Sequence, residues 1–249
     1  MKKRMKHNNS FSKLSHDSLS HAFSFLNLED LVHMKETSKE MEKIVNRYGL
    51  INAAYKRRMN SHYPRIEEAL RYKEDKNLKI NWSELYLKQG DNEFLKHAFA
   101  KSVLYQCDNI MISKPLVMGI YNLTFELCAK SREDGQSEWC YNICNNIIQQ
   151  KAKELKQRLD IYGIGNYQKE KFQFKVMIDW ISKSTGYICR YLVPNLGVPT
   201  FEEVGERIFT NMIINHFRLT DTYERTNIQI NALRNTELSH VIYSFVDNN

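Results

Sequence analysis

The side chains able to carry covalent or acid–base chemistry are few here, and their spacing does not suit it. Ser15, His16 and Asp17 are adjacent in the chain, whereas the members of a nucleophile–base–acid triad converge from separate segments. No H-E-x-x-H pair and no glycine-rich phosphate loop occurs. The five cysteines, Cys107, Cys128, Cys140, Cys144 and Cys189, are odd in number. Cys140 and Cys144 stand one helical turn apart with no histidine close behind, and no C-x-x-C occurs. This pattern predicts reduced, buried thiols in a cytosolic protein, not a disulfide frame or a zinc site. A nucleophilic cysteine needs a base beside it, and cysteines on apolar helical stripes are inert core thiols. The expectation is a protein that binds rather than catalyses, with no cofactor and no metal.

The elements that must position any binding surface are helices. Glycine and proline are scarce, 9 and 4 among 249 residues. Apolar residues recur at helical rather than alternating spacing, so the predicted class is all-α. No apolar run approaches the ~20 residues of a membrane span, and no apolar stretch follows the basic residues 1–6 as it would in a secretory signal peptide. The net charge of +7 is spread along the chain, with one dense cluster at Lys2, Lys3, Arg4 and Lys6. A solvated, disordered tail over 1–10 is preferred to a nucleic-acid arm. Elsewhere Lys and Arg alternate with Glu, without a basic stripe interleaved with aromatics, so neither nucleic acid nor membrane is an expected partner.

The most informative stretch is 14–45. Leu19, Ala22, Phe23 and Leu26 fall at i, i+3, i+4, i+7, one apolar stripe of a helix. Asn27 caps a second helix that has Glu29 and Asp30 in its first turn and Leu28, Leu31 and Val32 as its stripe. Thr37 with Glu40 has the spacing of a capping box for a third helix, whose face is Met41, Ile44, Val45 and Tyr48. Three helices this short bury little surface on one another. Each Leu or Phe contributes about 2 kcal/mol against an ordering cost of ~1–2 kcal/mol per residue. Such a unit wants a partner surface or a following domain; the plainer alternative is an amphipathic hairpin in a bundle core.

The ordered series of Leu14, then Leu19, Ala22, Phe23 and Leu26, then Leu28, Leu31 and Val32, resembles the F-box. Ser15 stands where the family has proline, and Met41 where tryptophan is common. The resemblance implies docking on the Skp adaptor of SCF ubiquitin ligases through those eight residues.

Farther along, 46–80 predicts a helix or two interrupted by Pro64, then a charged loop. Asn81 and Glu84 have capping spacing for a helix through Trp82, Leu85 and Tyr86, and WSELYLK is similar to segments that follow F-boxes. A helix is predicted from about Asp91 to Tyr105. Ser113 and Pro115 start another, with the stripes Leu116, Ile120, Leu123, Leu127 and Val117, Tyr121, Thr124, Cys128. A long helix through Cys140, Ile148, Leu155 and Leu159 ends at Gly163 and Gly165. The next, through Phe174, Ile181 and Leu192, is predicted to end before Pro194. Thr200 and Glu203 box a helix through Phe201, Val204 and Ile208, and two helical pieces follow Thr220.

Four of these segments resemble the first cullin repeat. LVMGIYNLTFELC (116–128) is similar to a helix near the start of cullins. In 174–193, Tyr187 and Arg190 keep a Tyr-Leu-Asp/Asn-Arg motif with Cys189 in the acidic place. INALRNTE (230–237) and SHVIYSFVDNN (239–249) follow in cullin order. The resemblance implies a bundle of about five helices that docks on the Skp adaptor through Val117, Met118 and Tyr121, with Arg190 and Tyr191 near the contacting end. Ordinary core packing is the alternative for the Val117 stripe. The sequence has no counterpart of the cullin-homology domain that holds a RING protein, so the resemblance implies no catalytic end of a ligase.

The expected organisation is a tail over 1–10, an F-box over 11–50, a helical linker over 51–110 and a cullin-repeat-like bundle over 111–249. A chain carrying both parts would clamp one adaptor from two sides and exclude the genuine cullin, as a non-catalytic mimic. In the alternative, the bundle holds a target protein for ubiquitination, as in an ordinary F-box receptor. The Lys, Asn and Ile bias and the minimal F-box resemble F-box effectors of intracellular bacteria such as Legionella, which implies the host cytosol as the site of action and SCF components or a host target as partners.

Overall fold

The computed structural model describes residues 15–74, 79–88, 91–109, 114–130, 135–162 and 166–214. The expectations for Leu14, the basic tail, Ser113, Gly163, Gly165 and the last two helical pieces lie outside those residues. Among the described residues all regular structure is helical, so the fold is all-α. The described residues form two compact units, one within 15–144 together with 180–196, the other within 145–179 together with 197–214.

In the first unit, α1 (His16–Phe23) starts at Ser15, whose hydroxyl accepts from the Ser18 N–H at 3.1 Å. Helix α2 (Leu28–Thr37) starts at Asn27, whose Oδ1 accepts from the Asp30 N–H at 2.7 Å, as the sequence predicts. The third helix, α3 (Lys39–Arg47), corrects the Thr37 expectation. Thr37 is the last residue of α2, and its hydroxyl turns back to donate to the Met34 carbonyl at 2.7 Å. Ser38 is the extended residue between the helices (φ −161°), so its hydroxyl is the one placed to accept from the Met41 N–H.

Helix α4 (Leu50–His62) completes the hairpin core. Leu19, Phe23, Leu31, Ile44, Val45, Leu50 and Ala54 form one buried cluster, with Leu26, Leu28, Met34, Met41, Tyr48 and Ile51 packed on its margin. Polar ties hold the same elements. Tyr48 donates to Asp17 at 2.5 Å, Arg57 donates to the Leu26 carbonyl at 3.0 Å, and Arg58 pairs with Glu29 at 3.0 Å.

The remaining helices of this unit are α5 (Ile66–Arg71), α6 (Trp82–Leu87), α7 (Asn92–Asp108) and α8 (Lys114–Phe125), followed by a π-helical turn, Glu126–Lys130. Asn81 caps α6, and Asn52 of α4 accepts from both the Trp82 and Ser83 N–H groups, which seats the buried Trp82. Helix α7 starts on Asp91 but runs three residues past the predicted Tyr105. A buried polar link joins it to the 180–196 segment: Gln106 donates to the Trp180 carbonyl at 3.3 Å and accepts from the Ser184 hydroxyl at 2.9 Å. Both groups are thereby satisfied away from water.

On α5, Glu68 receives hydrogen bonds from Arg65 and from the Tyr105 hydroxyl. These hold its carboxyl below the usual range, the Arg65 hydrogen bond most of all. The unfolded chain then binds protons on Glu68 that the folded chain refuses. Stability from this group is complete above the ordinary carboxylate range and is lost as pH falls through the depressed folded value. Urea melts from pH 6 down to about pH 3 should show declining stability, with a shallower decline in Glu68→Gln. An equal decline in both proteins would assign the acid sensitivity elsewhere.

Helices α9 (Gln136–Tyr162) and α10 (Tyr167–Ser184) each contribute to both units. After α10 comes a π-helical turn, Ile188–Leu192, and one further turn, α11 (Val193–Leu196). The helical path therefore does not end before Pro194. Pro194 is the second residue of α11, directly after the π-helical turn, and the path ends instead at Gly197 with φ +62°.

In the second unit, α12 (Phe201–Phe209) starts with the predicted reciprocal box. Thr200 accepts from the Glu203 N–H at 3.2 Å, and Glu203 accepts from the Thr200 N–H at 2.8 Å. Phe209 packs on Tyr167 and Phe174 with ring centroids 5.9 and 5.7 Å apart. Gly205 lets α12 pass close to Ile178, since a Cβ there would lie 2.1 Å from the Ile178 Cδ1. Arg158 pairs with Glu170 at 2.8 Å, joining the ends of α9 and α10 in this unit.

Candidate functional site

The residues singled out for docking lie in two places in the first unit, and each place divides into an inner and an outer set. In the 15–54 hairpin, Leu19, Phe23 and Leu31 face inward, with Leu31 wholly buried. Leu26 and Leu28 are half-buried at the margin, while Ala22 and Val32 are exposed. Phe25, which the periodicity passes over, is the most exposed aromatic of the hairpin at 78%. It follows α1 and is steadied by an edge-on contact with His21 at 5.3 Å. The large apolar side chains that the hairpin leaves to a partner are thus Phe25 and Val32, with Leu26 and Leu28 partly covered.

The second place is built on α8. Leu116, Ile120, Leu123 and Leu127 are buried, as their stripe predicts. The opposite side holds Met118, 52% exposed, with Tyr121 and Phe125 following at i+3 and i+7. Val117 is half-buried beside them.

Helix α8 is seated on the α4–α5 corner by three contacts. Gly119 lies against the Pro64 carbonyl, where a Cβ would come within 2.5 Å of the oxygen. Asn122 donates to the His62 carbonyl at 2.6 Å, and His62 faces Glu126 at 3.3 Å. This seating fixes the rotation of α8 and turns the Met118–Tyr121–Phe125 side outward.

The outer side of α8 meets the segment that carries Arg190 and Tyr191. Phe125 packs edge-on against Tyr187 at 5.8 Å, and Tyr187 packs on Tyr191 at 4.7 Å. Tyr191 is 55% exposed and Arg190 is exposed next to it. Two residues that the sequence reading did not assign to the surface, Phe125 and Tyr187, are therefore what joins its two predicted halves. Their signal was present: Phe125 continues the Met118–Tyr121 side, and Tyr187 precedes Tyr191 by four.

Two of the three π-helical turns among the described residues, Glu126–Lys130 and Ile188–Leu192, border this face. A π turn takes about one more residue per turn than an α turn and so re-aims the side chains after it, and such turns are frequent at functional sites. The result is a continuous aromatic surface with methionine at one end. The cations Lys183 and Arg190 are exposed before and after Tyr187, while the adjacent acid, Glu126, is occupied by His62. Such a surface offers apolar and aromatic contact area with positive charge at its border, the composition of a protein-binding patch.

Among the described residues no group of three or more His, Cys, Asp or Glu side chains is placed to hold a metal ion, and no helix is long and apolar enough to cross a membrane.

Over 101 residues the chain is 22% identical to a cullin-like protein of Arabidopsis thaliana, an alignment that covers 39% of this chain. It covers 14% of that protein, so the chain matches only a small part of its relative's length. No protein-family model matches the chain. No solved structure matches it.

Proposed function

We propose that this protein is a non-catalytic F-box protein that binds the Skp adaptor of SCF ubiquitin ligases and brings a cullin-like arm to the same adaptor, displacing the genuine cullin. The observation that carries the reading is the exposed Met118–Tyr121–Phe125–Tyr187–Tyr191 surface. It gathers two segments that resemble the cullin repeat and includes Met118, Tyr121 and Tyr191, positions where that resemblance implies adaptor contact. Similarity to a cullin-like protein supports the same reading. The F-box half rests on the ordered series from Leu19 to Val32 and on the exposed Phe25 beside it. If both halves reach one adaptor, the second contact is intramolecular, with an effective concentration of roughly millimolar order. The place of action under this reading is the cytosol.

Co-purification tests it. Wild type, a Phe25→Asp/Val32→Asp double variant and a Tyr121→Ala/Phe125→Ala/Tyr191→Ala triple variant are each mixed with the Skp adaptor, alone and with full-length cullin. The wild type is expected to hold the adaptor and exclude cullin. The double variant should lose most of its adaptor affinity, and the triple variant should admit cullin again. Adaptor and cullin held together by the wild type would instead assign the protein as a substrate receptor. A folded wild type that holds no adaptor overturns the proposal.

A further inference from the structure

In the sequence, α10 opens on an alternation of charges, Lys169, Glu170, Lys171, that reads as neutral. The structure separates the signs. Glu170 faces the end of α9, where the Arg158 guanidinium donates to its carboxylate through Nε at 3.2 Å and Nη2 at 2.8 Å. Lys169, Lys171 and Lys175 are exposed, and none of them pairs with an acid among the described residues. Phe172 stands among them, 53% exposed. It comes one turn after Lys169 and one turn before Lys175, so both flank its ring on the same face of the helix, with Lys171 alongside. The inner face of α10 is filled by other side chains, the buried Tyr167, Phe174 and Ile178.

The same end of the second unit carries two more exposed apolar side chains. Ile161 and Tyr162, the last two residues of α9, are 73% and 70% exposed. They follow Arg158 by one turn, and the Arg158–Glu170 pair ties that end of α9 to the start of α10. Among the unit's described residues, Ile161, Tyr162 and Phe172 are all of the exposed large apolar side chains, and all three lie at this end. Neither feature serves the fold: lysines one turn apart, as Lys171 and Lys175 are, repel each other, and exposed apolar area gains nothing in water. The combination suits one kind of surface. An acidic protein face would pair the lysines without covering the apolar tips. Stacked bases would use the two rings but not the aliphatic Ile161. A bilayer surface takes both, because apolar tips enter the boundary between headgroups and acyl chains while lysine stems lie along it and keep their ammonium groups among the phosphates.

We propose that this end of the second unit docks on the surface of an anionic lipid bilayer. Ile161, Tyr162 and Phe172 enter the interface, and Lys169, Lys171 and Lys175 face the lipid headgroups. The contact is peripheral, since no helix among the described residues is long and apolar enough to cross a membrane. It corrects the expectation that a membrane is no partner. That expectation rested on Lys and Glu alternating along the chain, and the structure turns Glu170 inward while leaving its neighbours outside. The site shares no residue with the two adaptor surfaces, so it stands or falls without them.

The test sediments the full chain with vesicles of phosphatidylcholine, alone or with about 30% phosphatidylserine to supply the anionic surface. Wild type should bind the mixed vesicles and not the neutral ones, and added salt should weaken the binding. Lys169→Gln/Lys171→Gln/Lys175→Gln should bind about a hundredfold more weakly, at roughly fivefold per lysine. Ile161→Ser/Tyr162→Ser/Phe172→Ser should lose about tenfold or more while still preferring the anionic vesicles. Glutamine in place of Lys2, Lys3, Arg4 and Lys6 should leave most of the binding, which separates this site from the basic cluster at the start of the chain. Both α10-side variants alter exposed residues and should keep the wild-type circular dichroism melt. Should either fail to fold, Phe172→Trp supplies a second reading: brominated acyl chains should quench the fluorescence it adds over wild type. Wild type that stays in solution with the mixed vesicles overturns the proposal, whatever acidic protein or RNA it captures. So does equal binding to neutral vesicles, undiminished binding by the folded lysine variant, or an added tryptophan that the brominated lipid does not quench.

Discussion

Gly119→Val is expected to be the most damaging single substitution on the face of α8. A Cβ at this position would lie 2.5 Å from the Pro64 carbonyl oxygen and 3.3 Å from the Pro64 nitrogen. Both atoms belong to backbone, so no rotamer change relieves the clash. Pro64 sits in the turn between α4 and α5, and α8 would have to lift away from that corner. The lift stretches the Asn122 hydrogen bond to the His62 carbonyl and the His62–Glu126 contact, which share the same seat. Overpacking of this kind costs about 1–3 kcal/mol and sometimes more. The added branches of valine and the lost hydrogen bond place the effect at the upper end, about 3 kcal/mol. Chemical denaturation should show a lower midpoint with an unchanged slope. Gly119→Ala should fall between wild type and valine, and Gly119→Val at wild-type stability would show that α8 is not held as closely as its seat implies. Since the seat also sets which side of α8 faces out, the adaptor co-purification should suffer in the same order.

The second large effect separates folding from docking in the hairpin. Leu31→Asp should unfold the 15–54 region, whereas Phe25→Asp should leave it intact. Leu31 is 0% exposed and packs among Leu19, Phe23, Ile44 and Val45. Removing it forfeits its transfer and packing energy and puts a carboxyl where no donor is near, a combined cost of about 4 kcal/mol or more. Phe25 is 78% exposed, so aspartate there remains in water and stability should change by only about 0.5 kcal/mol. Circular dichroism melts of the two variants give the comparison. If Phe25→Asp keeps the wild-type melt and loses the adaptor, the loss is one of docking. If Leu31→Asp melts like wild type, the hairpin core is not organised around Leu31. A variant at Leu31 or Leu19 alone cannot test adaptor binding, because any loss would be a loss of fold.

Much of this molecule is set by signals that act within one or two turns of chain. Asn27, Asn81, Asp91 and Thr200 each cap the helix that follows, since a side-chain acceptor two or three residues before an orphan N–H needs nothing beyond that turn. The all-α class and the buried stripe Leu116, Ile120, Leu123 and Leu127 follow from periodicity in the same way. The misread cap, Thr37 for Ser38, is a shift of a single residue between two adjacent hydroxyls with the same chemistry.

What the chain pattern could not contain is anything decided by a neighbour far away in sequence. Periodicity marks Leu19, Ala22, Phe23 and Leu26 as equivalent, but only α3 and α4 decide that Leu19 and Phe23 are enclosed and Ala22 left outside. The seat of Gly119 on Pro64 and the contact of Phe125 with Tyr187 are likewise long-range. So is the division into two units, to which α9 and α10 each contribute twice. The π turns add a further reason. Each shifts the helical register by about a residue, so a stripe extrapolated through Ile188–Leu192 loses its face, and only the three-dimensional path shows that Tyr187 and Tyr191 remain on the side that meets α8. By itself, then, the sequence determined where helices form and which side of each is apolar. Tertiary packing decided which apolar residues remain for a partner, because exposure is set by the neighbouring elements and not by the residue.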